Sequence, residues 1–326
     1  MKTEILRMLK ETDGYISGQF LCEKFGVSRT AVWKVIRQLE SEGYEIEAVR
    51  NRGYRLRMAG DVMTQEELAS TINTRWAGRS LLYMDEVDST NNLIKQLAEQ
   101  GAEHGTLAVA DAQTGGKGRR GRVWQSPHGV GIWMSLLTRP DLLPEKASMM
   151  TLPAAMAVAD AIRETTGLES MIKWPNDIVV GGKKVCGILT EMSAEVGAIN
   201  YVVTGIGINV NTEAFPDDIK DIATSLLIET GKRVRRSPII AAAMAAYERY
   251  YDLFMKHGDM TALMDDYNAR LANRDCGVRV LAPEHEYTGT ALGIDENGLL
   301  IVKTEDGEIR KVLSGEVSVR GIYGYV

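Results

Sequence analysis

The stretch from Gln113 to Trp124, QTGGKGRRGRVW, brings four glycines and four cations into twelve residues. Gly115, Gly116, Gly118 and Gly121 are expected to take positive φ and let the backbone approach a ligand, while Lys117, Arg119, Arg120 and Arg122 carry positive charge to the same place. Such a loop suits the holding of an anion. No Lys-Ser or Lys-Thr pair closes a Walker loop, and the glycine spacing does not open a dinucleotide fingerprint. A flexible surface loop or a nonspecific nucleic-acid patch uses the same residue types, so this stretch alone leaves those readings open.

Three further places carry polar groups suited to chemistry. In Asp88-Ser89-Thr90-Asn91, Ser89 and Thr90 precede the helix NLIKQLAEQ, where hydroxyls and free N–H groups hold a polar ligand or simply cap the helix. Trp174-Pro175-Asn176-Asp177 breaks an apolar strand with a turn, and Gly181-Gly182 leads into a second strand that begins with Lys183 and Lys184. A lysine there is either exposed or directed along the sheet into a pocket. NYVVTGIGINV is apolar almost throughout until Asn209, and a polar end on a strand buried on both faces favours a ligand contact.

These groups need a framework. LLYMDEV, TLAVAD and GVGIWMSLLT read as strands, and the basic loop connects the last two. A helix from Ala147 to Thr166 carries Leu152, Met156, Ala159 and Ile162 on one face, with Met149 and Met150 also read as core. Residues 211–226 read as a loop that folds over the pocket. A helix begins at Ser237-Pro238 and runs to about Lys256, and a shorter one follows in ALMDDYNARLA. From Cys276 onward VRVLAP, YTGTALGI, LLIVKT, IRKVL and VSVRGIY are short strands of a small all-β barrel or sandwich.

The N-terminal segment differs chemically. Residues 1–60 hold 11 Lys and Arg against 8 Asp and Glu, whereas the remainder holds 27 against 36, a basic module on an acidic body. Residues 3–10 form an amphipathic helix; Ser17 caps GQFLCEKF, which Gly26 stops; Ser28 caps RTAVWKVIRQLESE. Two helices about a glycine turn suggest helix-turn-helix. Val32, Val35, Ile36 and Leu39 make the buried stripe, which leaves Arg29, Thr30, Trp33, Lys34 and Arg37 on a face suited to a major groove. YEIEAV and YRLRM then pair across a basic tip that includes Arg52, as the wing of a winged helix. Residues 58–63 read as a linker, and Thr64 with Glu67 forms a capping box that opens a helix through about Asn73 and a new domain. A helical dimerisation module is the competing reading of the N-terminal segment, and Trp33 has one of its own, packing against the wing.

No apolar run approaches the length of a bilayer span, and the start lacks a secretory segment, so the protein is expected in the cytoplasm. Cys22, Cys186 and Cys276 are too scattered for a disulfide framework or zinc cluster, and the four histidines suggest no metal site built from protein ligands.

With GGKGRRGRVW, KWPNDIVVGGKKVCGIL and TGIGINVN in this order, the sequence resembles the biotin-protein ligases of the two-function type, which also act as biotin operon repressors. The resemblance covers essentially the whole chain. It implies an α+β fold with a winged helix-turn-helix at residues 1–62, a class II synthetase-like mixed sheet with helices at 63–273 and an SH3-like β-barrel at 274–326. By residue it implies that Ser89, Thr90 and Asn91 bind the biotin ureido ring and that Gln113 lies near the carboxylate. Lys117, Gly118 and Arg119 fall in the biotin-binding loop. Arg119 helps retain the activated intermediate, and Lys184 contacts biotin and the reacting phosphate, with Lys183 the less favoured neighbour. Arg122, Trp124, Asn176 and Asn209 fall on the adenylate side. Ser28, Arg29, Thr30, Trp33, Lys34, Arg37 and Arg52 form the DNA face. The family's usual Gly-Arg-Gly-Arg is Gly116-Lys117-Gly118-Arg119 here, so charge is kept at Lys117 but bidentate geometry is not.

The implied activity is formation of biotinyl-5'-AMP from biotin and ATP, with Mg²⁺ carried on the phosphates, and transfer of biotin to a lysine of a biotin carboxyl-carrier domain. The adenylate-bound protein is expected to form a homodimer on a palindromic operator. A lipoate-type acyl-adenylating ligase and a DNA-binding biotin sensor without ligase activity are the alternatives, and the presence of both Arg119 and Lys184 speaks against the second.

Overall fold

The computed structural model describes residues 1–281, 286–314, 318–321 and 325–326. It contains two compact units, Met1–Asn73 with Arg235–Ala241, and Thr74–Val234 with Ala242–Val326.

In the first unit, α1 (Lys2–Glu11), α2 (Gly18–Phe25) and α3 (Arg29–Ser41) precede an antiparallel hairpin of β1 (Tyr44–Val49) and β2 (Gly53–Ala59). Ser17 accepts from the Phe20 N–H at 3.3 Å and Ser28 from the Ala31 N–H at 3.2 Å, so both predicted caps start their helices. Gly26 ends α2 in the left-handed region. The stripe of Val32, Val35, Ile36 and Leu39 packs with Ile5, Leu6, Leu9 and Leu21, and each such side chain contributes about 1.5–3 kcal/mol by leaving water.

The linker expected at 58–63 is shorter than its sequence suggests: Met58 and Ala59 end β2, and Val62 and Met63 are buried. Next comes α4 (Gln65–Thr71), which clusters with the first unit. Thr64 caps it through the Glu67 N–H at 3.1 Å, but the Glu67 side chain does not close a capping box. It is 1% exposed and lies 2.7 Å from the Lys10 ammonium, accepts from the Ser237 hydroxyl at 2.6 Å and also accepts from the Tyr44 hydroxyl. A buried carboxylate needs such a set of partners, and they come from α1, β1 and the chain just after Arg235.

The second unit is built on a seven-stranded sheet. Its strands are β3 (Leu81–Val87), β4 (Leu107–Gln113), β5 (Gly131–Thr138), β6 (Met171–Lys173), β7 (Asp177–Val180), β8 (Lys183–Glu195) and β9 (Ala198–Asn209), in the order β3-β4-β5-β9-β8-β7-β6. Only β3 and β4 pair in parallel, so the sheet is mixed. All eight residues of β5 are buried, as their unbroken run of apolar and small side chains requires. Between β3 and β4 lies α5 (Thr90–Glu99). The helix expected from Ala147 is split: a 3₁₀ turn covers Pro144–Met150, and α6 covers Thr151–Thr166. Met149, Met150 and Met156 are core residues, as expected.

The segment after β9 is irregular to Ser225 and then forms α7 (Leu226–Thr230), a short helix that composition did not suggest. Two helices follow, α8 (Arg236–His257) and α9 (Met264–Ala269). The C-terminal strands are β10 (Gly277–Leu281), β11 (Glu286–Ile294), β12 (Leu300–Thr304), β13 (Ile309–Val312) and β14 (Ser318–Gly321), all antiparallel in the order β13-β12-β11-β10-β14. Of the strands expected there, residues 282–283, 317 and 322–323 lie outside the described residues.

Candidate active site

A cavity of about 850 Å³ opens within the second unit, and all twelve ligand residues expected there line it. At one end, Ser89 precedes α5 and is 2% exposed. The Thr90 N–H and hydroxyl both donate to Gln113 Oε1, at 2.8 and 3.1 Å, and Gln113 Nε2 donates to Ser126 at 2.8 Å. Asn91 Nδ2 donates to Glu191 at 2.7 Å, and Asn91 Oδ1 lies 2.6 Å from the Ser135 hydroxyl. These bonds fix the orientation of the amides at Asn91 and Gln113, giving a preformed polar pocket suited to a neutral ligand with fixed donors and acceptors.

The basic loop crosses this pocket. Of its four glycines only Gly121 has positive φ, 72°, and the left-handed region is also occupied by Arg120 at 59°. Gly116 is required for a different reason: a Cβ there would stand 2.3 Å from the Trp124 carbonyl oxygen. Lys117 is exposed and donates to Asn92 at 3.2 Å. Arg119 turns inward, donating to Asn176 Oδ1 at 3.0 Å and to the Ser314 carbonyl, while Asn176 donates to the Ile188 carbonyl at 3.0 Å. Burial pushes the Arg119 guanidinium below its ordinary range, and the Asp177 carboxylate acts in the opposite direction.

Trp124 lies on β8 and β9, where a Cβ at Gly207 would meet its indole at 2.7 Å and one at Gly187 would meet it at 3.0 Å. Its ring centroid is 5.1 Å from the Lys184 ammonium, and it meets Trp133 edge-on. Lys184 forms a 2.6 Å ion pair with Asp177 Oδ1. Its neighbour Lys183 does not line the cavity and donates instead to the Lys220 carbonyl at 3.3 Å. The backbone of Lys184 bonds to Ile222 and Thr224, which carries residues 212–223 along the cavity, and Asn209 is buried beside them, donating to the Thr224 carbonyl at 3.2 Å.

The chain is similar to several known proteins. Residues 83–209 match the biotin/lipoate A/B protein ligase family, residues 2–55 an HTH domain and residues 277–320 the biotin protein ligase C-terminal domain. The bifunctional ligase/repressor BirA of Bacillus subtilis (strain 168) is 42% identical over 309 residues, 94% of each chain. The chain belongs to the bifunctional biotin ligase/repressor family. Within the ligases, the biotin–acetyl-CoA-carboxylase ligase of Mycobacterium tuberculosis is 31% identical over 73% of this chain and 88% of its own. The biotin protein ligase of Aquifex aeolicus in complex with biotin and ATP superposes with a TM-score of 0.65 at 34% identity, over 74% of this chain and 99% of that one.

Sequence reasoning missed three charged or phenolic groups of this ligase-family cavity. Lys173 and Asp177 are partners in register across the Trp-Pro-Asn turn, both nearly buried, and Tyr325 donates to Asp177 Oδ2 at 2.5 Å. Burial lowers Lys173 to about 8 despite the pull of Asp177, and Lys184 lowers it further. Burial would raise the Asp177 carboxyl, but the ammoniums of Lys184 and Lys173 and the Tyr325 hydroxyl prevail and hold it below the ordinary carboxylate range. The detectable signal was Lys-Trp-Pro-Asn-Asp itself: a charged residue on either side of a turn joining apolar strands needs a polar partner when the strands are buried, and Asp177 finds its partner in Lys184.

On the repressor side of the family's architecture, Arg29, Thr30, Trp33, Lys34 and Arg37 are all exposed on α3. Ser28 is the helix cap, and Arg29 also donates to Gln19 at 3.1 Å. Trp33 does not pack against the wing; it is 53% exposed, with the Arg37 guanidinium 6.0 Å from its ring. Arg52 lies at the tip of the wing, its guanidinium 4.4 Å from the Tyr15 ring. No described helix is long and apolar enough to cross a membrane.

Proposed function

We propose that Lys184 and Arg119 assemble the reacting groups of an ATP-dependent biotin-protein ligase, and that the adenylate made there also governs DNA binding. The observation that carries the reading is the single cavity that holds a preformed polar pocket at Ser89–Asn91 and Gln113, with Lys184 and Arg119 beside it. Biotin's ureido ring fits the pocket, which places its carboxylate toward the cations. A carboxylate oxygen then attacks the α-phosphorus of ATP, the bond to the β-phosphate oxygen breaks, and pyrophosphate leaves as biotinyl-5'-AMP forms. No protein nucleophile is required. Alignment of two anions and neutralisation of charge as it builds are the work of Lys184 and Arg119, each worth about 3 kcal/mol in the transition state.

Trp124 closes the nucleotide end, with Asn176 and Asn209 bordering it, and residues 212–225 shield the mixed anhydride from water. Among the described residues no group of three or more His, Cys, Asp or Glu side chains is placed to hold a metal. Both oxygens of the buried Asp177 carboxylate are taken up by Lys184 and Tyr325, so Mg²⁺ would be carried on the ATP phosphates, where it would supply charge neutralisation. In the second step the acceptor lysine of a biotin carboxyl-carrier domain attacks the anhydride carbonyl, and AMP leaves as the amide forms.

The adenylate-bound protein acts as a homodimer on operator DNA, with α3 in the major groove and Arg52 on the wing reaching the backbone, in the cytoplasm. The test is pyrophosphate release with biotin, ATP and Mg²⁺, followed by transfer to a carrier domain. Biotin-dependent release and transfer are expected. Turnover with lipoate in place of biotin, or adenylate-dependent DNA binding without turnover, would overturn the reading in favour of a lipoate-type ligase or a sensor.

A further inference from the structure

The Asp177 carboxylate is held at both oxygens. Oδ1 meets the Lys184 ammonium at 2.6 Å, and Oδ2 accepts from the Tyr325 hydroxyl at 2.5 Å. The ring of Tyr325 also faces Lys173, whose ammonium is 3.9 Å from the ring centroid. Neighbouring strands supply Lys173, Asp177 and Lys184, and Tyr325 is the member that comes from far away in sequence, beyond β14. Burial and the neighbouring Asp177 both raise the Tyr325 phenol, so it stays protonated and can only donate to the carboxylate. A carboxylate with a single donor can rotate about its Cβ–Cγ bond. One fixed at Oδ2 presents Oδ1 in one direction, which is where the Lys184 ammonium lies.

We propose that Tyr325 is a positioning residue for adenylate formation: its hydroxyl fixes Asp177, and Asp177 in turn fixes Lys184 where the biotin carboxylate and the α-phosphate meet. The inference rests on the reading of Lys184 given above. Tyr325 touches neither substrate in this scheme, so its removal affects the chemical step and not the affinity for biotin.

The experiment compares wild type, Tyr325→Phe, Asp177→Asn and the double variant. Single-turnover formation of biotinyl-adenylate is measured with α-labelled ATP, biotin affinity by calorimetry, and thermal unfolding as a control. Tyr325→Phe is expected to slow adenylate formation about tenfold, the scale of one hydrogen bond to a charged group. Biotin affinity and the unfolding midpoint stay within error of wild type, and the hydroxyl's removal adds no further loss to Asp177→Asn. A Tyr325→Phe rate within twofold of an active wild type would overturn this proposal alone, as would a tenfold loss that multiplies with Asp177→Asn. A wild type that forms no biotin-dependent adenylate would overturn the ligase reading on which it rests.

Discussion

The amide of Asn91 occupies the space above Gly205, where a Cβ would stand 2.2 Å from its Oδ1. Because Asn91 is itself held by Glu191 and Ser135, it cannot withdraw without breaking two hydrogen bonds. The glycine on β9 and the polar start of α5 are therefore one unit. Gly205→Ala is expected to displace Asn91 and the adjoining Thr90, weakening biotin binding at least tenfold, with a cost of about 1–3 kcal/mol in stability from overpacking. Calorimetric titration with biotin and a denaturant melt check both parts; unchanged biotin affinity would show that Asn91 does not shape the pocket.

The Glu67 carboxylate makes the first unit sensitive to acid. Burial alone would raise it, but Lys10, Ser237 and Tyr44 prevail and hold it below its ordinary value of 4.5. Its contribution is therefore fully present above that value and is lost as pH falls through the lower folded one. Glu67→Gln is expected to remove about 2–3 kcal/mol at pH 7, less than for a fully buried pair because Lys10 keeps some contact with water. Hydrogen-exchange protection of residues 1–73 should fall as pH is lowered below 4.5 in wild type and fall less in the variant. Parallel acid profiles for the two proteins would contradict this role.

The α3 face makes a separate prediction, since Lys34 is exposed on the same face as Trp33 and Arg37. Lys34→Ala is expected to reduce the slope of log affinity against log salt by about one, the signature of one lost phosphate contact, and to leave adenylate formation unchanged. Anisotropy titrations of adenylate-saturated protein, with a duplex it selects from a random pool, give the slope. An unchanged slope would remove Lys34 from the DNA face.

Much of this arrangement was legible in the residues because it follows local rules. Ser17 and Ser28 cap their helices, Gly26 stops α2, and the seven residues of LLYMDEV form β3 as read. The three motifs that carry the resemblance also lie on neighbouring strands and loops, so reading them in order located the cavity. What stayed hidden depends on distance in the chain. Tyr325 and Asp177 are 148 residues apart, and no periodicity links them. Glu67 satisfied the spacing of a capping box, yet the tertiary demand for a partner to Lys10 overrode that local role. The four glycines of the basic loop illustrate a third case, for glycine at Gly116 answers to a carbonyl brought close by folding and not to its own φ.

Lys184, paired with Asp177 beside Trp124, is proposed to neutralise charge as biotin is adenylated. The most direct test of that role is single-turnover biotinyl-adenylate formation by Lys184→Ala at saturating biotin and ATP. The expected rate is at least a hundredfold below wild type, the scale of one lost transition-state donor, with the thermal unfolding midpoint unchanged. A variant that forms the adenylate at the wild-type rate would contradict it.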